Sequence, residues 1–221
     1  MFSRIGSARN QCSVGFGSAA RGRRRVRGAV TAAIEALEAR TMLAAIAWTG
    51  LGDGANWSDA ANWSDHALPA WGDDVTINVA GNPTVHVDVA ATIHGLTSFS
   101  PLSLDVGGGL SIAAEAVLNA PLTLAGGTLT GGTWSGTGGM TIASSVTYSV
   151  LDGVTLGTDL TTTVGLIMRN GLTLANNATI MASGPDSLAT QPYPWLYFEG
   201  TQTLGGNGMV ELAGASVVSH N

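Results

Sequence analysis

The sequence of 221 residues predicts an all-β fold, a right-handed parallel β-helix (β-solenoid), and three observations carry that expectation. Short runs with apolar residues at alternate positions recur from Val75 onward, glycines punctuate them, and segments of the chain echo one another at long spacing. The runs include Leu102-Ser103-Leu104-Asp105-Val106, Leu110-Ser111-Ile112, Leu122-Thr123-Leu124, Met140-Thr141-Ile142, Val154-Thr155-Leu156 and Leu172-Thr173-Leu174. Each places Leu, Ile, Met or Val on one face and a hydroxyl or acid on the other, the period of a half-buried strand. A helix needs apolar positions three and four apart. The 31 Gly fit corners between short strands, where the absence of Cβ admits positive φ.

The echoes suggest coils. Gly109-Leu110-Ser111-Ile112 returns at an offset of 62 as Gly171-Leu172-Thr173-Leu174, and Gly138-Gly139-Met140 returns at an offset of 69 as Asn207-Gly208-Met209. With coils of about 20 to 23 residues, the unit is about three turns. The difference of seven falls on Gly184-Pro185 and Gln191-Pro192-Tyr193-Pro194-Trp195, a proline-rich insertion that cannot continue a ladder and reads as a protruding loop. An antiparallel immunoglobulin-type sandwich is the rival fold. It calls for hairpin turns between neighbouring strands, and signals such as Asn170-Gly171 are too few.

Charge divides the chain. Residues 1 to 40 carry eight Arg against Glu35 and Glu38, a balance of +6; the remainder carries Arg169 against 13 acids, a balance of −12, and Lys is absent throughout. An acidic body repels phosphate backbones, so nucleic acid is not expected as its partner. Only 11 % of residues are charged, leaving Ser, Thr, Asn and Gly to cover the surface, as in an extracellular wall-like protein. Cys12 is the single cysteine and lies in the basic leader, so the body has neither disulfide nor thiol chemistry. No apolar run reaches the length of about 18 residues that spans a membrane.

Four segments follow: a disordered Arg-rich leader over 1–27, a short helix over 28–47, a Trp-rich cap over 48–74, and solenoid repeats over 75–221, expected to be incomplete at the C-terminus. In the second segment Ile34, Leu37 and Met42 fall near one helical face, while Glu35, Glu38 and Arg40 interrupt an ordinary signal-peptide core. The run Leu37-Glu38-Ala39-Arg40-Thr41-Met42-Leu43, behind an Arg-rich stretch, resembles the LEPR-XLL sorting motif of large planctomycete exported proteins. It keeps Leu37, Glu38, Arg40 and Leu43 and departs at Ala39, where the motif has Pro, and at Met42, where it has Leu. The resemblance implies export to the cell surface or beyond, with the export machinery as the partner of the leader. Arg23-Arg24 also admits a twin-arginine reading, but the apolar segment behind it is poor.

Trp48, Trp57, Trp63 and Trp71 crowd into one short segment, and the pentapeptide ANWSD occurs twice, at Ala55–Asp59 and Ala61–Asp65. The progression through Leu68-Pro69 and Gly72-Asp73-Asp74 into Val75-Thr76-Ile77-Asn78-Val79 is similar to the opening of bacterial secreted β-helix proteins, including autotransporter-like repeats, and to the G8 domain. That resemblance implies the first, capping turn of a solenoid. Two readings of the indoles follow. They close the open apolar end of the solenoid, or they form an exposed stacking platform for sugar rings. Asn56, Asn62 and Asn177 head formal glycosylation sequons.

Catalysis has thin support. The one cation of the body is Arg169, and Asp152 and Asp159, seven apart in sequence, have nothing to fix the spacing of a carboxylate pair. His86 and Asp88 share a strand face with His94 nearby, which reads as a solvated face in preference to a metal site. Asp53-Gly54-Ala55-Asn56 and Asp73-Asp74 read as turn-forming acids and match no regular calcium loop. Gly205-Gly206-Asn207-Gly208 precedes no helix and is no phosphate loop. No catalytic residue, metal or cofactor is therefore expected. The expectation is a non-enzymatic exported structural or adhesive solenoid, with polysaccharide or cell-envelope components as candidate partners and end-to-end self-association or continuation of the repeats at its end. The alternatives are a glycan-binding module using the tryptophans and a β-helix polysaccharide lyase or hydrolase.

Overall fold

A computed structural model describes residues 44–143, 147–184 and 194–220. The Arg-rich leader and Leu37, Glu38, Arg40 and Leu43 lie outside the described residues. In chain order the strands are β1 (Ala44–Trp48), β2 (Asp73–Ile77), β3 (Val85–Val87), β4 (Ala90–Ile93), β5 (Gly95–Ser98), β6 (Leu102–Leu104), β7 (Gly109–Ile112), β8 (Glu115–Leu118), β9 (Leu122–Leu124) and β10 (Thr128–Thr130). They continue as β11 (Thr133–Ser135), β12 (Met140–Ile142), β13 (Ser149–Leu156), β14 (Leu160–Thr162), β15 (Leu166–Leu174), β16 (Thr179–Ser183), β17 (Trp195–Glu199), β18 (Leu204–Gly206), β19 (Met209–Ala213) and β20 (Ser216–His220). A single 3-10 turn, Ala60–Asn62, is the only helical element among the described residues. The chain is all-β.

Every ladder between these strands is parallel, which makes the fold a β-solenoid of about seven turns with three faces. The first face stacks β3, β6, β9, β12, β14, β16 and β19. The second stacks β4, β7, β10, the first half of β13, the first half of β15, β17 and β20. The third stacks β1, β2, β5, β8, β11, the second halves of β13 and β15, and β18. Inward residues stack on their own kind. On the first face Val85, Leu102, Leu122, Met140, Leu160 and Ile180 form one unbroken buried row.

The core is closed by this register because alternation sends every second residue inward on all three faces. Ile46, Val75, Leu96, Ala116, Trp134, Leu156 and Leu174 supply the third face, where the small Ala116 sits in register with the large Trp134. Corners press backbone against backbone. At Gly136 (φ 108°) a Cβ would stand 2.2 Å from the Leu118 carbonyl oxygen, and Gly206 (φ 100°) meets the Leu174 oxygen in the same way.

Three expectations need correction. The helix over 28–47 gives way at Ala44–Ala47 to β1, because parallel pairing with β2 buries Ile46 and Trp48, and that packing outweighs local helix propensity. The solenoid therefore starts at β1 rather than at residue 75, and the Trp-rich segment between β1 and β2 completes its first coil, with Asn56 bridging in parallel to His86 of β3 on the first face. The echo at 62 is not a stacking period: Leu110 lies on the second face and Leu172 on the third. The echo at 69 is three coils with a slip of one, since Met140 stacks through Leu160 and Ile180 onto Val210.

The loop insertion is real and larger than seven. Thr162 pairs with Ala182, an offset of 20, whereas Leu166 pairs with Leu196, an offset of 30, so ten extra residues enter between β16 and β17. Most of that stretch, 185–193, lies outside the described residues. Asn170-Gly171 is no hairpin; with φ of 54° and 91° it turns β15 from the second face to the third.

Candidate functional site

The segment between β1 and β2 packs as a plug around three indoles. Trp48, Trp57 and Trp63 are 3, 0 and 0 % exposed, with Trp63 meeting the other two edge to face at ring centroid distances of 4.9 and 4.6 Å. The Trp63 indole N–H donates to the Trp57 carbonyl at 2.9 Å. These three faces are inaccessible to a sugar ring, which overturns them as a stacking platform. Trp71 alone of the four is exposed, at 67 %.

Asn62, itself fully buried, ties the loop together. Its Nδ2 donates to Asp53 Oδ1 at 2.7 Å and to the Asn56 carbonyl at 3.0 Å, while its Oδ1 accepts from the N–H of Gly52 and Gly54. The Asn62 sequon is thus closed to modification. Asp53 Oδ1 also accepts the backbone N–H of Ala55 and Asn56, and Oδ2 accepts from Asn56 Nδ2. Those donors, the Ala55 and Asn56 N–H groups foremost, hold the Asp53 carboxyl well below the usual carboxylate range. Its oxygens are spent on the turn. The repeated ANWSD motif has the same logic: each copy buries its Trp and ends on an Asp, Asp59 or Asp65, that accepts the N–H two residues on.

Two histidines and several other acids stitch neighbouring coils. His86 Nδ1 lies 2.9 Å from Asp105 Oδ2, and His94 Nδ1 lies 2.7 Å from Asp74 Oδ1, on different faces. Asp88 accepts from the N–H and hydroxyl of Ser58, Glu115 from the Ser135 hydroxyl, and Asp159 from the Thr179 N–H. The three residues His86, Asp88 and His94 are not brought together, and no group of three potential metal ligands occurs among the described residues. Asp152 lies on the second face and Asp159 at the entry to the first, so they do not form a carboxylate pair. Arg169 pairs with Glu199, and Asn170 Nδ2 donates to Asp152 Oδ1 at 2.6 Å.

The surface feature that sequence reasoning missed is a groove of about 320 Å³ on the second face, lined by Tyr148, Gly165, Leu166, Ile167, Trp195 and Tyr197. Ile167 and Tyr197 are outward and in register, and the next outward row carries Asp152, Arg169 and Glu199. Trp195 is visible in the sequence as part of a proline-rich loop, but it begins β17. Tyr148 has no signal of its own. Only the true coil register, with its ten-residue insertion, brings residues 148, 167 and 197 together. No helix among the described residues is long and apolar enough to cross a membrane. No protein-family model, curated protein or solved structure matches the chain.

Proposed function

We propose that the protein is an exported, non-enzymatic structural or adhesive solenoid of the cell surface or extracellular space. The observation that carries this reading is the way its ionisable side chains are spent: His86 on Asp105, His94 on Asp74, Arg169 on Glu199 and Asp88 on Ser58 all join one part of the stack to another. Such pairs make a regular scaffold whose rungs, at about 4.8 Å each, extend over roughly 30 Å. The leader's resemblance to an export-sorting motif supports the location. Its partners on this reading are the export machinery at the leader and polysaccharide or other envelope components along the outer faces.

Protease shaving of intact cells expressing the full chain with a C-terminal epitope tests the location. Loss of the epitope from unlysed cells is the expected result, and an epitope protected until lysis would sink the surface assignment. Turnover of pectate or alginate by the purified chain, lost in Arg169→Ala, would overturn the non-enzymatic part.

A further inference from the structure

The aromatic groove on the second face is not required by the solenoid. Folding is served on this face by inward Ile, Leu and Met, and the outward positions of the earlier coils include Thr92, Ser111, Thr128, Thr130, Val150 and Asp152, none of them aromatic. Where β15 meets β17, the outward surface instead holds Tyr148, 55 % exposed, Trp195, 39 % exposed, and Tyr197, two of the protein's three tyrosines and one of its six tryptophans. We propose that this groove is a binding site for neutral polysaccharide, taking one or two pyranose rings against Tyr148 and Trp195. This assignment does not rest on export, and goes beyond the structural role.

Three features of the site suit that ligand. Sugar rings present axial C–H groups that pack on the electron-rich face of an aromatic ring, and aromatic side chains give much contact area for little loss of rotamer freedom. The platform is also set in place before binding. A Cβ on Gly165 would lie 2.6 Å from Tyr148 Cε1, so the tyrosine ring rests directly on the glycine backbone in space that any other residue would take. Finally, polar groups for ring hydroxyls stand one outward row away. Arg169 and Glu199 are each about half exposed in their ion pair, and Asp152 is beside them.

Charge selects the class of glycan. Residues 41 to 221 carry a balance of −12, and the only cation near the groove is already neutralised by Glu199. A uronate or sulfated chain would meet repulsion with no compensating Arg or Lys. The volume is at the lower limit of ligand pockets, which fits a short stretch of a longer chain lying across an open face.

Affinity electrophoresis of the purified full chain in gels containing xylan, laminarin or galactomannan, with polygalacturonate as the acidic control, tests the proposal. Retardation by at least one neutral polysaccharide and none by polygalacturonate is expected. Isothermal titration with oligosaccharides of the retarding polymer should show at least a tenfold loss of affinity in Trp195→Ala and in Tyr148→Ala. Gly165→Ala, which keeps every aromatic ring but pushes Tyr148 off its seat, should weaken binding as well. Far-UV circular dichroism establishes that each variant is folded, and Tyr148→Ala decides the matter if Trp195→Ala does not fold. The site is overturned if no neutral polysaccharide retards the protein, if polygalacturonate retards it more, if folded Tyr148→Ala binds as the parent does, or if a proline-rich peptide occupies the groove and neutral glycans do not displace it.

Discussion

Asn62 uses both ends of its amide, and this explains why that residue type stands at the centre of the cap. Two donated bonds go to Asp53 and Asn56, and two accepted bonds come from Gly52 and Gly54, all around a side chain with no solvent access. Asn62→Asp removes both donors and buries a carboxylate against Asp53, so a loss of about 3 kcal/mol or more is expected in chemical denaturation of the cap. Asp53 has a pH signature. Its folded pKa is depressed, so the unfolded chain binds the proton more readily and the stabilisation is complete above the unfolded value of about 4 and lost as pH falls through the folded one. Asp53→Asn should be less stable than the parent at pH 7, and its thermal midpoint should fall less between pH 5 and pH 2. An equal fall in both proteins would contradict the assignment. The indoles differ too. Trp63 Nε1 has an acceptor, while Trp57 Nε1 is buried with none among the described residues. Trp63→Phe should therefore cost about 1 kcal/mol more than Trp57→Phe, measured as a difference of unfolding free energies.

At the scale of strands and corners, the solenoid repeats one corner whose chemistry was partly legible. Gly136-Thr137-Gly138 and Gly206-Asn207-Gly208 both occupy the turn from third face to first, and each glycine is pressed on the backbone of the coil before it. The sequence echo at 69 is the trace of this contact, one position short. The strand runs at Leu102, Leu110, Leu122, Met140 and Leu172 were legible because each alternates strictly, and alternation is all that a half-buried strand demands of its residues. Which face each run occupies was not legible. Successive first-face offsets of 17, 20, 18, 20 and 20, from Val85 to Leu102 and on to Ile180, show that corner lengths vary while the ladder stays in register. The groove was hidden for the same reason, since Tyr148 and Tyr197 are neighbours only through three-dimensional register. Close approach and backbone conformation can be separated at the corners. Gly136→Ala meets the Leu118 backbone at 2.2 Å as well as the strain of positive φ, whereas Gly81→Ala, φ +86°, meets nothing within 4 Å. The first should lower the melting temperature clearly more than the second, because a fixed backbone neighbour cannot move aside as solvent does.

Across the whole solenoid, each coil touches mainly the coil above and the coil below, so stability is set by neighbours in a row rather than by one central nucleus. The middle coils are covered on both sides: Leu122, Leu124, Leu129, Leu151, Leu156 and Leu160 have no exposed surface. The N-terminal side is closed by the buried indoles of Trp57 and Trp63. At the last described coil the matching positions are open, with Leu204 43 %, Leu212 45 % and Val217 53 % exposed. Amide protection in this chain should therefore be graded. Strands β9, β12 and β14 should exchange slowest, with free energies close to that of global unfolding, while β18 to β20 should open locally and exchange faster by two or more orders of magnitude. Leu160→Ala should lower protection over several coils on both sides, since it leaves a cavity in the unbroken row from Val85 to Ile180 and costs about 2 to 5 kcal/mol. Leu212→Ala should change exchange only in the last coils. Hydrogen exchange read by mass spectrometry distinguishes this from a single cooperative unit, for which both substitutions would shift every strand by the same amount.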